Sequence, residues 1–345
     1  MKKLSIIFLL PIFFSCGAKI EKTVGEPIWT PQTSNTQSHL RGLSSVSEKV
    51  AWASGTKGGV VRTIDGGQNW EDVSVAQNDT IDFRDIEAFD ENTAIVLSAG
   101  LPAVIYKTTN GGKSWQQKYF TQKEGTFYDA MDFWDDQTGI AFGDAVDGRL
   151  LILMTFDGGD NWEELPYENR PQALDGQGGF AASGTCLRTQ GNKNVYIGLG
   201  GDESTLFYSR DQGITWNKTQ TPLDHNSSAG VFSIQFNDEK NGIMVGGDYR
   251  ADSLTTKNNI AYTQDGGETW KKVIPGMEPN GYRSSIDFYK DLVLVVGRGS
   301  SDYYRAGDRA YTPMEGKYYS VSTSKDGKSV WASGPRGSIA KLTIN

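Results

Sequence analysis

Cysteine and histidine are almost missing from this sequence of 345 residues: Cys16, Cys186, His39 and His225 are all it has. Four such residues, so scattered, cannot build a Cys/His zinc site of the structural kind. Two histidines also argue against a His-based catalytic triad. No metal and no cofactor is therefore expected. Basic residues are outnumbered as well, 34 Lys and Arg against 42 Asp and Glu, for a net charge of −8. An overall electrostatic grip on nucleic acid is thereby excluded as an expectation. No segment of useful length has a helical period, and beyond the first sixteen residues no apolar run is long enough to span a membrane as a helix. What the chain has in quantity is glycine (41 residues) and aromatics (15 Tyr, 15 Phe and 9 Trp), within a hydrophobic share of 37%. That is too apolar for a disordered chain and leans towards a β fold with many turns.

The first residues stand apart from the fold. Lys2 and Lys3 precede an apolar run from Leu4 to Phe14, and Ser15-Cys16 follows at once. The run is too short to span and reads as a secretory signal over residues 1–15. A small residue directly before Cys resembles the lipobox of bacterial lipoproteins, which makes Cys16 the expected site of lipidation and residues 16–26 a lipidated tether. Gly17 follows Cys16 without an Asp retention signal, so a place in the cell envelope at the outer membrane is expected. Loss of Lys2 and Lys3 with the leader takes the net charge from −8 to −10. With Cys16 acylated, Cys186 has no partner, and the exported domain must be stable without an internal disulfide. Cys186 lies in FAASGTCLRT, which reads as a buried strand, and is expected to be a core thiol.

Internal repeats set the architecture. The segments TIDGGQNW (63–70), TTNGGKSW (108–115), TFDGGDNW (155–162), SRDQGITW (209–216) and TQDGGETW (263–270) are copies of one motif, with Trp70, Trp115, Trp162, Trp216 and Trp270 spaced by 45, 47, 54 and 54 residues. In each, Asp or Asn folds its side chain onto turn amides, Gly accepts positive φ, and Trp anchors the strand that follows. The acidic residue is thus structural, not catalytic. The pattern Ser/Thr-x-Asp-x-Gly-x-x-Trp is that of the Asp-box, or BNR, repeat. Short β runs lie between the boxes, four per period, as in a propeller blade with the box between strands C and D.

Degenerate copies complete the count. YYRAGDRAY (303–311) occupies a sixth box, with Tyr311 for Trp, and the C-terminal stretch repeats the WASG of Trp52 at Trp331. That last blade has strands A to C only, and IWTPQ around Trp29 is the expected fourth. The fold class expected is all-β: a seven-bladed β-propeller of four-stranded antiparallel blades over residues 27–345, closed by an N-terminal strand.

Beyond the boxes, FRDIEAFD, FYDAMDFWDDQTGIAFGDAVDGR, FAASGTC and GIMVGGDY resemble blocks of the photosystem II assembly factor type of Asp-box propeller. The resemblance implies a binding or assembly platform. It spans nearly the whole mature chain and implies no particular activity.

Antiparallel order puts the boxes and A–B turns at one end and the variable B–C loops and strand A openings at the other. The strand A openings are expected to bring Arg41, Arg84, Tyr128, Phe180, Arg283 and Tyr319 to one mouth, and the B–C loops to add Asp144, Asp248, Arg250, Arg298 and Arg336. Arginine forks suit carboxylates or phosphates, and aromatic neighbours suit sugars or peptides. The expected partner is a protein, or an anionic carbohydrate or peptide, taken by a monomer. The alternative is a glycoside hydrolase, either sialidase-like with Arg41, Arg84 and Arg283 around the substrate carboxylate or using Asp144 paired with Asp248. Phe83-Arg84-Asp85-Ile86 departs from the sialidase signature, and no Glu stands near Tyr128, Tyr282 or Tyr319. The reading leans away from an enzyme.

Overall fold

The computed structural model describes residues 22–251 and 257–345; the leader and Cys16 lie outside the described residues. Strands fall into seven antiparallel groups of four. Blade 1 runs Leu40–Ser45, Ala51–Gly55, Val60–Thr63 and Glu71–Asp72, and blade 2 runs Asp82–Ala88, Ala94–Ala99, Ala103–Thr108 and Gln116–Thr121. Blade 3 comprises Tyr128–Phe133, Gly139–Val146, Arg149–Thr155 and Glu163–Glu164. Blade 4 comprises Leu187–Gln190, Asn194–Gly201, Thr205–Ser209 and Asn217–Gln220; blade 5, Ala229–Phe236, Gly242–Asp248, Ile260–Thr263 and Lys271–Lys272. Blade 6 takes Ser285–Tyr289, Leu292–Val296, Ser301–Arg305 and Thr312–Met314. Blade 7 takes Ser320–Thr323, Val330–Ser333 and Ile339–Ile344, and its outermost strand is the N-terminal Pro27–Gln32.

That closing strand pairs antiparallel with Ile339–Ile344, with Trp29 opposite Leu342. Backbone hydrogen bonds thus join the two ends of the chain, which removes the open seam of a ring built from consecutive blades. Trp29 is buried among Tyr318, Leu294 and Val296, its ring edge-on to Tyr318 at 5.5 Å.

The boxes are the hairpin turns their composition describes. Asp157 Oδ1 accepts from the amides of Asp160 (3.0 Å) and Asn161 (2.9 Å), Thr155 Oγ1 accepts from Gly159 N at 2.9 Å, and Gly158 and Gly159 have φ of 69° and 82°. Side-chain bonds from Asn161 and Thr155 help to hold the Asp157 carboxyl at a pKa of about 2. The indoles pack between blades, and Trp115 reaches its neighbour directly, donating from Nε1 to Val73 O at 2.9 Å.

Around the axis, side chains of the innermost strands stitch each blade to the next. Ser44 Oγ accepts from Ala88 N (3.0 Å), Asp85 from Met131 N (2.7 Å), Asp132 from Thr189 N (2.7 Å) and Asp287 from Thr323 N (2.7 Å). Thr185 bonds Ser233 Oγ at 2.6 Å, Gln235 donates to Asp287 at 2.7 Å, and Ser320 donates to Arg41 O, which completes the circle. Burying carboxyls this way has a cost: Asp85 is pushed up to about 8 by loss of solvent, in spite of its two backbone donors.

The stretch FAASGTC is not a strand. Strand A of blade 4 begins only at Leu187, and the residues before it cross the axis. Ala182 O and Ala181 O face Arg41 and Arg84, Ser183 bonds Ser284 O (2.7 Å) and accepts from Ser320, and Thr185 O accepts from Ile234 N. Gly179 abuts Asp129. The segment therefore touches the inner edges of all six other blades and plugs the channel. Only small residues fit: a Cβ on Gly184 would lie 2.0 Å from the Asp85 carboxylate. Cys186, at the end of the plug, is fully buried, and burial pushes its thiol well above the ordinary range. The plug divides the channel into two blind cavities. One, of about 580 Å3, lies at the box end among Glu87, Asp132, Arg188, Asp287 and Lys325.

Candidate functional site

The second cavity, of about 450 Å3, is the mouth at the end of the B–C loops, and the plug residues Phe180, Ala181 and Ala182 are its floor. Its walls come from a recurring backbone device. The inner strands of blades 1, 2, 3 and 5 each carry a β-bulge near the start, between Leu40 and Gly42, Phe83 and Asp85, Tyr128 and Ala130, and Val231 and Ser233. The extra residue of a bulge leaves the ladder and re-aims its side chain. The four extra residues are Arg41, Arg84, Asp129 and Phe232, and all four line the mouth.

This corrects the expected placement of Tyr128. It is the residue before the bulge, buried like Leu40 and Phe83, and it packs edge-on to Tyr119 with the two hydroxyls 3.2 Å apart. A one-residue offset on a strand sends a side chain to the opposite face, so blade 3 presents Asp129 to the mouth. Arg283 is corrected too. It is 0% exposed, donates to Tyr282 O (2.8 Å) and Ser300 Oγ (3.0 Å), and forms an ion pair with Asp302, itself 1% exposed. Burial lowers the Arg283 pKa and raises that of Asp302 against their mutual attraction.

Of the other expected residues, Arg41, Arg84, Asp144 and Arg298 line the mouth together with Phe180 and Tyr319. Asp248, Arg250 and Arg336 do not. Asp248 accepts from Asn226 (3.0 Å), Ser228 (2.7 Å) and the Arg250 amide (2.8 Å), and lines a separate cleft with Asp224 and Lys257. The Arg250 guanidinium lies 5.5 Å from the Tyr249 ring centre, and Arg336 is exposed in the last B–C loop. The paired-Asp arrangement of Asp144 with Asp248 is thus not formed; the carboxyl that Asp144 acts on electrostatically is Asp129.

The mouth has an aromatic side and a charged side. Phe180 stacks on Phe232 at 4.0 Å, and Tyr282 meets Phe232 edge-on at 4.7 Å. Arg41 lies over the Tyr319 ring at 4.3 Å, and Tyr319 is in turn 3.1 Å from His39 Nδ1. Arg41 and Arg84 reach the plug carbonyls of Ala182 and Ala181 at 3.4 and 3.5 Å, the long limit of a hydrogen bond. Arg84 is 3.7 Å from Asp82, and its Nε is buried without a partner. Burial, followed by repulsion from Arg41, lowers the Arg84 pKa. Below them Asp129 is 1% exposed; burial and Asp144 raise its pKa well above the carboxylate range, which Arg84 only partly offsets. Burial thus works against a charged Asp129 as counter-ion to the guanidinium pair, so the mouth is a site where an incoming anion would be stabilised.

Sequence reasoning missed Asp129, Phe232, Tyr249 and Tyr282. The first two had a signal: the buried residue before each bulge is large and apolar (Leu40, Phe83, Tyr128, Val231), and aligning on it brings Arg41, Arg84, Asp129 and Phe232 into one column.

Ring closure, blade order and box turns define a β-propeller with BNR hairpins. Comparison with known proteins agrees. Residues 22–125 match the family model of the photosynthesis system II assembly factor YCF48, and residues 150–303 match that of sortilin, neurotensin receptor 3. No curated protein matches the sequence. Among solved structures, YCF48 bound to D1 peptide superposes with a TM-score of 0.67 at 16% identity, over 95% of this chain and 100% of that one. YCF48 from Cyanidioschyzon merolae gives 0.63 at 18% identity, over 91% and 98%. A GH74 xyloglucanase from Xanthomonas campestris gives 0.62 at 12% identity, over 91% of this chain and 53% of that one. At such identities the likeness to each structure is one of fold. The chain is a β-propeller with BNR repeats, and its residues 22–125 are similar to the photosystem II assembly factor family.

Proposed function

We propose that this protein is a membrane-tethered binding or assembly platform that takes an anionic segment of a partner at the mouth formed by Arg41, Arg84, Arg298 and the aromatic floor. The observation that carries the reading is the Arg41–Arg84 pair: two guanidinia that repel one another, held on long bonds to the plug, with a buried Nε unpartnered. A carboxylate between them would relieve the repulsion and give the guanidinium ends a charged acceptor in place of the long bonds to the plug. The peptide-bound YCF48 structure offers a precedent for a propeller of this kind recognising a peptide. The tether is the lipid on Cys16, expected at the outer membrane, and the partner is a protein or an anionic peptide or carbohydrate. A glycoside hydrolase has less support, because Asp129, the carboxyl beside Asp144, is sealed from solvent and so from a substrate.

The test uses carboxylate-rich peptides and an acidic glycan array against the purified propeller. Arg84→Lys keeps the charge and loses the fork, so binding should weaken about tenfold, the worth of one charge-assisted hydrogen bond. The melting midpoint should stay unchanged. Full binding by Arg84→Lys would move these arginines into a structural network, and glycoside turnover lost in that variant would favour the hydrolase.

A further inference from the structure

The described chain begins at Lys22, and its first residues are docked to the propeller. Thr23 donates to Asp291 Oδ1 twice, from its amide at 2.9 Å and its hydroxyl at 2.7 Å. Arg305 donates to Thr23 Oγ1 at 3.1 Å and to Gly25 O at 2.7 Å, and lies 3.7 Å from the second oxygen of Asp291. Glu26 and Asn345 exchange backbone hydrogen bonds at 3.0 and 3.1 Å. Asp291 is 4% exposed, so both of its oxygens are committed within the structure. Within the expected tether of residues 16–26, Thr23, Gly25 and Glu26 therefore form a latch.

The latch has a definite place. Asp291 sits in the A–B turn between Ser285–Tyr289 and Leu292–Val296, and Arg305 ends strand C of blade 6 as it enters the sixth box. Both belong to the box end of the propeller, opposite the B–C loops and the mouth. The first described residues are held there.

From this we infer that the lipid-anchored protein stands on its box end, with the Arg41–Arg84–Arg298 mouth held away from the bilayer to receive a partner segment that projects from the membrane or lies free in the aqueous compartment. The inference rests on the reading of Cys16 as the lipid-bearing residue. Five residues lie between Cys16 and Lys22, and an extended chain spans at most about 3.6 Å per residue step, so the latch lies within roughly 20 Å of the lipid. Strands of about six residues add roughly 20 Å between the box end and the mouth. A tether this short cannot pass around the body, so the mouth cannot be turned to the lipid surface while the latch is closed. A partner fully embedded in the bilayer would not reach it.

The test measures energy transfer from single dyes on the full-length lipoprotein to an acceptor lipid in vesicles of neutral phospholipid. Dyes are placed by Lys113→Cys and Glu268→Cys at the box tips, and by Lys57→Cys and Asp202→Cys at the B–C loops; all four positions are exposed, whereas Cys186 is fully buried and does not compete. Transfer should be several-fold stronger from the box-tip pair than from the loop pair. The combined substitution Asp291→Ala with Arg305→Ala lengthens the free tether by about four residues and should shrink that difference. Equal transfer from both ends of a protein that carries lipid by mass spectrometry overturns the orientation and leaves the lipoprotein reading standing. Mature protein with no lipid on Cys16 overturns both.

Discussion

The ion pair of Arg283 and Asp302 separates a structural arginine from a binding one. Arg283→Ala removes a guanidinium that is 0% exposed and leaves Asp302, 1% exposed, without its counter-ion. The same change strips the donors from Ser300 Oγ and Tyr282 O. Removing one member of a buried pair costs about 3–5 kcal/mol, most of it the uncompensated charge that stays behind. A propeller of this length unfolds with a large entropy, so that loss should lower the melting midpoint by only roughly 5–8 °C; urea titration at fixed temperature reads it more directly. The control is the apolar replacement of both partners, Arg283→Met with Asp302→Leu, which removes the stranded charge and should recover much of the loss. Asp302→Asn alone should cost at least as much as Arg283→Ala, since it strands a buried guanidinium that cannot shed its charge, whereas a stranded Asp302 can take up a proton. Binding of an anionic peptide at the mouth should be unaffected wherever the protein is folded. An Arg283→Ala variant with the wild-type midpoint and lost peptide binding would refute this account, and would put the arginine back in the mouth.

Trp29→Ala empties the seam of blade 7 and should cost about 3–5 kcal/mol in urea unfolding, as other buried aromatic truncations do; because its Nε1 has no partner, the loss is one of packing alone. Asp157→Ala in the third box should cost about 1 kcal/mol by loss of its turn bonds, without change in binding. The pH dependence has two limbs of opposite sign. Asp157, at about 2 in the fold against an ordinary 3.8, contributes stability that is present above pH 4 and lost as the pH falls towards 2. Asp85, raised to about 8, does the reverse: the unfolded chain releases its proton first, so stability declines as the pH climbs from 4 and levels off above 8. Thermal melts should therefore be highest on the acid side of neutrality, and Asp85→Asn should flatten the decline between pH 5 and 8 even if it lowers the midpoint overall.

Repetition made the fold legible without any structure. A box whose Asp, Gly and Trp each have a local task is written once per blade, and local chemistry survives translation along the chain, so the turns, the strand order and even the strand around Trp29 could be read by counting. The repeat also exposed its own incomplete copy: a final blade with no fourth strand requires a donor, and the register of Trp29 against Leu342 meets that need. Cys186 could be read as a core thiol from its small, apolar neighbours.

The site was legible only in part, because it depends on relations that no single segment contains. Arg41, Arg84, Asp144 and Arg298 were placed correctly at the mouth from strand topology alone, whereas Tyr128 was misplaced by one residue, since a bulge changes the face of every side chain on one side of it and has no signature in an unaligned strand. Arg283 reads in the sequence like Arg41 and Arg84; its partner Asp302 lies 19 positions away on another strand, and only the closed blade shows that the charge is already satisfied. The plug is the furthest from local inference. FAASGTC has the composition of a buried strand, and burial is indeed its fate, but what buries it is the convergence of six other blades on one axis. Sequence sets what each segment can do in its own neighbourhood. Ring closure decides which charges are neutralised, which side chains face the mouth, and at which end of the molecule the latch is held, because each of those is a sum over distant contacts.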